Sequence, residues 1–318
     1  MKINFLLLEN DFYSKEALKT YKQLGNVYFF SKNFKNYNKI NVLLVRLSIN
    51  LNEIFLKKFQ QLKYIISPTT ALNHIDLDYC KKQSIKIISL KNLKKSINKV
   101  SSTAELTISL MLALSRNIIK ANNNAKGRGE WSRYPYISDN INSKLVGIIG
   151  MGRIGRMVAK YCNSLGSKVI YYDRKKIFIN KKYEQTSLKF LLKNSDIVTI
   201  HIDYTEKNKN FLNASKIDMI KNNCIIINTA RGEIIDEFYL LKQIKQNKIF
   251  GYACDVIANE NNNKSVIKFL QYIKNIDNVI VTPHIGGFTK QSLNYTENLI
   301  ASYFKNILNN EEKNSTKV

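Results

Sequence analysis

Arg231, Glu260 and His284 are three residues whose types combine into one chemistry. An imidazole that titrates near neutrality can take a hydroxyl proton as a hydride leaves the same carbon, or return it. A carboxylate beside the imidazole fixes the ring and stabilises its protonated form. A guanidinium grips a substrate carboxylate in a fork and polarises the carbonyl being reduced. Taken singly, each has an ordinary reading: a surface charge, a loop carboxylate and a strand-end cap. Their places join them. Arg231 follows the strand expected at Cys224–Ile227, Glu260 follows Phe250–Cys254, and His284 follows Val279–Val281 within Thr282-Pro283-His284-Ile285-Gly286-Gly287. In an open parallel sheet, ligands bind outside the carboxyl ends of the strands, so all three are expected at one crevice.

A second constellation shares that edge. Gly150-Met151-Gly152-Arg153-Ile154-Gly155 follows a strand at Leu145–Ile149 and opens a helix at Arg156–Leu165. In that setting Gly150 makes a tight turn, Gly152 lets the backbone approach a pyrophosphate, and Gly155 lets helix pack on strand. The pyrophosphate then meets free N–H groups at the positive helix end. Asp173 ends the next strand, where an acid accepts from the adenosine ribose and repels a 2′-phosphate. NAD is therefore the expected cofactor. Arg174, Lys175 and Lys176 follow directly and leave NADP open.

The elements that must carry these residues come in two βαβ series, which places the chain in the α/β class with parallel sheets. In the first, Ile3–Leu8, Val27–Phe30, Val42–Val45, Tyr64–Ile66 and Ile85–Ile88 read as strands. Ser14–Leu24, Leu51–Gln60 and Leu77–Gln83 read as helices. Ser102-Thr103-Ala104-Glu105 matches a capping box that opens a long apolar helix running through Ile118. Polar stretches follow at Asn122–Gly129 and Trp131–Ser138. The second series has strands at Leu145–Ile149, Lys168–Tyr172, Ile197–Ile200, Cys224–Ile227, Phe250–Cys254 and Val279–Val281. Asn259–Lys264 reads as a surface loop, and a final amphipathic helix covers about Ser292–Leu308 before a polar tail.

The chain has 318 residues, enough for two domains. Its formal charge of +26 raises nucleic acid as a partner. The lysines are spread along the whole chain, with no arginine-rich arm and no zinc-finger spacing, so no nucleic-acid partner and no metal are expected. A general positive field would still attract anionic ligands. No window approaches the roughly 18 apolar residues of a membrane helix, and the first residues are too short a run for a signal sequence. The four cysteines lack CxxC spacing and read as buried thiols in a reducing cytoplasm.

These motifs, in this order, resemble the D-isomer-specific 2-hydroxyacid dehydrogenase family over nearly the whole length. The similarity runs from Val45-Arg46 and His74-Ile75-Asp76-Leu77 through Ser102–Glu105, Gly150–Gly155, His201–Thr205, Asn228–Gly232 and Asp255–Glu260 to Thr282–Gly287. The resemblance implies two flavodoxin- or Rossmann-like domains, with the cofactor domain (100–287) inserted into a substrate domain formed by 1–99 and 288–318. It implies a homodimer through the cofactor domain and a small 2-hydroxy or 2-keto acid as substrate. Arg231 would bind that substrate, Glu260 would pair with the base and His284 would be the acid/base. His201, Thr205, Thr229, Ala230 and Asp255 would line the cofactor pocket, with Asp255 on the nicotinamide carboxamide. Backbone N–H groups at Thr70, Ala71 and Leu72 would grip the substrate carboxylate.

Three departures bear on the substrate: Ala71 in a turn usually rich in glycine, Asp203 where the family has proline after His201, and Asn261 for the proline after Glu260. A positive φ at Ala71 would cost about 1 kcal/mol. The chain is similar to short phosphoglycerate dehydrogenases lacking a C-terminal regulatory domain and to enzymes of sugar acids, so 3-phosphoglycerate enters as a substrate. Arg46 stands where such enzymes hold the substrate's distal end, and reads equally as a strand-end charge. A dinucleotide-sensing, co-repressor-like interaction protein is the alternative function.

Overall fold

The computed structural model describes residues 2–93, 95–129, 131–177 and 182–315, so Met1 and the last three residues of the polar tail lie outside it. The chain divides into two compact units, Met1–Val100 with Phe288–Val318, and Ser101–Gly287.

The first unit holds a five-stranded sheet: β1 (Ile3–Leu7), β2 (Gly25–Phe29), β3 (Val42–Leu44), β4 (Tyr64–Ser67) and β5 (Lys86–Ser89). The spatial order is β2-β1-β3-β4-β5 and every pair is parallel. Successive residues of β1 alternate between cores: Phe5 and Leu7 pack with Tyr21, Ile300 and Phe304, whereas Leu6 packs with Leu43, Leu56 and Ile65 on the other face. Strand period 2 explains this alternation, and apolar residues at both phases explain burial on both faces. The order reverses direction between β1 and β3, the switch point of a flavodoxin-like sheet.

The second unit has seven strands, β6 (Leu145–Ile149), β7 (Lys168–Tyr172), β8 (Glu184–Gln185), β9 (Ile197–Ile200), β10 (Ile225–Asn228), β11 (Gly251–Cys254) and β12 (Val279–Val281). Their order is β12-β11-β10-β9-β6-β7-β8, again parallel throughout. The switch point lies between β6 and β9, which puts the glycine loop that follows β6 at the crevice of this sheet.

Several elements differ from the sequence expectation. Only Glu53–Leu56 of Leu51–Gln60 is helical, because the backbone of Leu51 pairs with Ile75 before the helix starts. The expected capping box does not form. Ser102 is already helical, and it is Ser101 whose hydroxyl donates to Glu105 (2.5 Å). That helix ends at Ser115, where Asn117 at φ 53° breaks it, and the supposedly polar stretch belongs to a second helix, Ile118–Arg128. The asparagine-rich run is only half a loop. Asn259 takes a left-handed turn at φ 55°, and the Asn262 side chain caps a helix over Asn263–Ile273 by accepting from Lys264 N–H. Asparagine suits both positions. The final helix is longer than expected, Lys290–Ser315. Among the described residues no helix is long and apolar enough to cross a membrane.

Candidate active site

The glycine loop shows a tight turn at Gly150 and close helix packing at Gly155. Gly150 sits at φ 95°, and a Cβ there would lie 2.7 Å from the His201 carbonyl oxygen. A Cβ on Gly155 would lie 2.1 Å from the Gly150 carbonyl oxygen, so nothing larger lets the helix Arg153–Ser164 meet β6. Around Gly152 the opposite holds. Among the described residues, and apart from its chain neighbours and its own helix backbone, no heavy atom comes within 4 Å of a Cβ built there, and Gly152, the residue that begins the helix, has no side chain with which to cap it. Open space before uncapped N–H groups fits a pyrophosphate. Arg153 and Ile154 form the first helical turn, where burial lowers the Arg153 guanidinium from its usual value.

Asp173, at the end of β7, turns one carboxylate oxygen to Met151 N–H (2.9 Å) and the other to Lys175 N–H (3.1 Å). Its carboxylate is thus fixed beside the loop. Arg174, Lys175 and Lys176 are exposed next to it. Across the switch point, His201 shares a hydrogen bond with Thr199 (2.9 Å), and desolvation pushes its imidazole down to about 3, so it is neutral at physiological pH. Thr205 caps the short turn Glu206–Asn208, its N–H donating to Asn208 Oδ1 (2.6 Å). Asp203 is exposed before it, and its carbonyl accepts from Asn208.

At the ends of β11 and β12 two of the three expected residues meet. His284 Nδ1 lies 2.7 Å from Glu260 Oε1, with both side chains about three-quarters buried. The residue adopts φ 54°, a left-handed conformation that costs a non-glycine residue about 1–3 kcal/mol. Asp255 holds this turn from both ends. Its carbonyl accepts from His284 N–H (2.9 Å). Its carboxylate accepts from Thr282 Oγ1 (2.6 Å), Ile285 N–H (2.8 Å) and Gly286 N–H (2.7 Å). Burial raises the Asp255 carboxyl above the usual range, and these three donors oppose that.

Arg231 follows β10 in an extended conformation, and its guanidinium donates to the Ala230 carbonyl oxygen (2.5 Å). Burial lowers its pKa, while the negative charges of Glu260, Glu233, Asp203 and Asp255 act to raise it. Thr229 is buried against Thr107 (2.9 Å between hydroxyls), and Ala230 N–H donates to Asn228 Oδ1 (3.0 Å).

In the first unit, Thr70, Ala71 and Leu72 follow β4. Ala71 is not among the residues with positive φ, so the backbone cost considered for alanine there does not arise. The Thr69 hydroxyl donates to the Ala71 carbonyl and shapes this turn (2.8 Å). Arg46 is 7% exposed, with Nε and Nη1 hydrogen-bonded in its own unit and, among the described residues, no hydrogen bond from Nη2. Its Nε donates to Glu297 Oε1 (2.8 Å), its Nη2 lies 2.6 Å from the same oxygen, and its Nη1 donates to the Asp11 carbonyl (2.8 Å). This geometry gives Arg46 a structural partner in its own unit.

Sequence reasoning passed over Thr282, Thr107 and Glu237. Thr282 adjoins the Pro283-His284 motif and was within reach. Glu237 reads in sequence as an ordinary acid in a first helical turn.

Residues 108–286 match the NAD binding domain of the D-isomer specific 2-hydroxyacid dehydrogenases. The chain is 29% identical over 317 residues to a D-3-phosphoglycerate dehydrogenase of Methanocaldococcus jannaschii, covering 96% of this chain and 58% of that protein, so it spans little more than half of that relative. It is 32% identical over 254 residues to a hydroxypyruvate reductase of Thermotoga maritima, covering 80% of each. A crystal structure of D-lactate dehydrogenase from Aquifex aeolicus, complexed with NAD and lactic acid, superposes with a TM-score of 0.83 at 26% identity, over 98% of this chain and 96% of that one. A glycine loop at the switch point of its sheet, a histidine–carboxylate pair at the next strand ends and the match over 108–286 together place the chain in the D-isomer specific 2-hydroxyacid dehydrogenase family, as an NAD-binding oxidoreductase.

Proposed function

We propose that this chain interconverts a small D-2-hydroxy acid and its 2-keto acid, with Arg231, Glu260 and His284 as the reacting set. The observation that carries the reading is the 2.7 Å contact between Glu260 and His284 Nδ1. It fixes the ring and leaves Nε2 as the proton-transfer atom. NAD, bound at Gly150–Gly155 with Asp173 on its ribose, gives or takes the hydride. From Nε2, His284 gives a proton to the substrate's carbonyl oxygen during reduction, and takes it back from the hydroxyl during oxidation. Glu260 stabilises the imidazolium, and Arg231 holds the substrate carboxylate. His201, Thr205, Thr229, Ala230 and Asp255 are kept as proposed cofactor contacts, and Thr70, Ala71 and Leu72 as proposed substrate contacts. Because Glu297 already neutralises Arg46, an unphosphorylated 2-hydroxy acid is favoured over 3-phosphoglycerate.

Following NADH absorbance with a panel of 2-keto acids, with and without a phosphate, tests this. Turnover with at least one acid is expected. His284→Ala should lower kcat by about 10²–10⁴ with NADH still bound, and Arg231→Lys should impair both KM and kcat because it loses the fork. NADH binding without turnover of any acid would favour the dinucleotide-sensing alternative.

A homodimer through the second unit is part of the proposal. Its support is the number of exposed apolar residues in this unit, among them Trp131 (96%), Tyr134 and Ile137, with Ile118 and Ile119 half-exposed. Trp131→Asp should then lower the mass measured by light scattering. Four free, buried cysteines support a cytoplasmic setting.

A further inference from the structure

Glu237 is 4% exposed, in the first turn of the helix Glu237–Lys245. An acid at that helical position ordinarily points to water and complements the helix dipole. This one turns inward. Its Oε2 accepts from Ala258 N–H (2.9 Å) and its Oε1 accepts from the Tyr252 hydroxyl (3.3 Å). The next N–H of the same loop, Asn259, donates to Glu233 Oε1 (3.0 Å). Two consecutive amides of the loop that ends in Glu260 are therefore held by two carboxylates from the segment following Arg231.

A relay ties the other side. The Tyr252 hydroxyl also meets Asn228 Nδ2 (3.4 Å), which donates to the Arg231 carbonyl oxygen (2.9 Å), while Asn228 Oδ1 accepts from Ala230 N–H. Between these ties the two backbones touch. A Cβ on Gly232 would lie 2.0 Å from Ala258 N and 2.0 Å from the Ile257 carbonyl carbon. No side chain fits between the turn carrying Arg231 and the loop carrying Glu260.

We propose that Glu237 is a positioning residue for the reaction. Through Ala258 N–H on one side and the Tyr252–Asn228 relay on the other, it holds the Glu260 loop in register with the Arg231 turn. This rests on the reading of Arg231, Glu260 and His284 as the reacting set. Glu260 must reach His284 Nδ1 while Arg231 holds the substrate, and these residues stand on different strand ends whose spacing the sheet alone does not fix. The clasp fixes it at the backbone, before any ligand binds. The groups facing Glu237 are Tyr252, Cys254, Glu233 and Glu260, and among the described residues none of these is a cation. Burial pushes its carboxyl up to about 8, opposed by Ala258 N–H and Tyr252.

Glu237→Ala and Glu237→Gln, assayed beside Glu260→Gln, test this. Glu237→Ala should lower kcat about tenfold or more while NADH affinity, read by fluorescence, stays unchanged. The pH above which keto-acid reduction fails should also move lower, toward that of Glu260→Gln. Glu237→Gln keeps a carbonyl for Ala258 N–H and should restore both quantities. Glu233→Ala removes the neighbouring tie without emptying core, and should move the pH limit the same way by less. If Glu237→Ala does not fold, Glu233→Ala and Tyr252→Phe carry the test. An unmoved pH limit in the folded variants, or a Gln variant no better than Ala, overturns the clasp. Activity surviving in His284→Ala would instead overturn the site reading beneath it.

Discussion

Replacing Arg46 by methionine removes a guanidinium from a carboxylate that has no access to water. Glu297 is 0% exposed and Arg46 is 7% exposed, and the ring of Tyr13 lies 5.1 Å below the guanidinium carbon. Leaving one partner of a buried ion pair uncompensated costs about 3–5 kcal/mol. At roughly 2–4 °C per kcal/mol, the variant's melting transition should fall by about 6–20 °C. The pH dependence follows from Glu297. Burial, the largest influence, holds its carboxyl above the usual range, even though Ser14 N–H and Arg46 pull it down. A raised folded-state value means stability is greatest below the unfolded value and declines as pH rises through the folded one. Without Arg46 that value rises further. The deficit should be largest at neutral and alkaline pH and shrink toward acid pH, where protonation relieves the lone charge. Calorimetry of Arg46→Met, Glu297→Gln and the double variant measures this, and the double variant should recover most of the loss. A loss under about 1 kcal/mol, accompanied by a raised KM for phosphorylated acids alone, would refute the structural reading and return Arg46 to the substrate.

Three further outcomes are expected. Glu260→Gln removes the charge that favours the imidazolium, so keto-acid reduction should fail at lower pH than in the parent, as a kcat/KM profile would show; an unchanged profile would make Glu260 a loop carboxylate. Asp173→Ala loses both the proposed ribose acceptor and the tie to Met151 N–H, and the ratio of kcat/KM for NADH over NADPH should fall by about tenfold. Gly155→Ala drives a methyl group to 2.1 Å from the Gly150 carbonyl, so it should destabilise the second unit by about 1–3 kcal/mol and weaken NADH binding in titration; wild-type affinity would contradict the close packing.

The parts of the site legible in sequence are those where backbone geometry leaves little choice of residue. Gly150 needs positive φ and Gly155 needs no side chain, and both demands recur wherever a strand turns into a helix under a pyrophosphate. The buried strands were legible too, because parallel strands read as continuous runs of Ile, Val and Leu, whereas the two-residue edge strand Glu184–Gln185 carries no such run and was not expected. Pattern failed where propensity is weak. The helix Ile118–Arg128 is rich in asparagine and shows no clean apolar stripe, so a polar stretch was the natural reading. The left-handed Asn117 that separates it from the preceding helix is a property of one dihedral, which periodicity does not register.

Pairing over long separations was hidden for a different reason. Arg46 and Glu297 stand 251 residues apart, and each is an ordinary charge until the last helix returns to the first sheet. The sequence left two readings of Arg46 open because one residue cannot reveal its partner. Glu237 was hidden by the same logic at shorter range. A net charge of +26 suggests a uniformly cationic molecule, yet the surroundings of Arg231 are acidic: Glu233, Asp203, Asp255 and Glu260 all act on it. This local reversal has a physical use. A guanidinium in a partly buried site needs nearby counter-charge to remain stable before an anionic substrate arrives. An acid that is itself tied elsewhere, as Asp255 is by three donors and Glu233 by Asn259 N–H, supplies that charge without closing on the guanidinium and blocking its fork. The same hydrogen bonds that fix the backbone of the site would therefore keep Arg231 open to the substrate proposed for it, and this coupling exists only between folded segments.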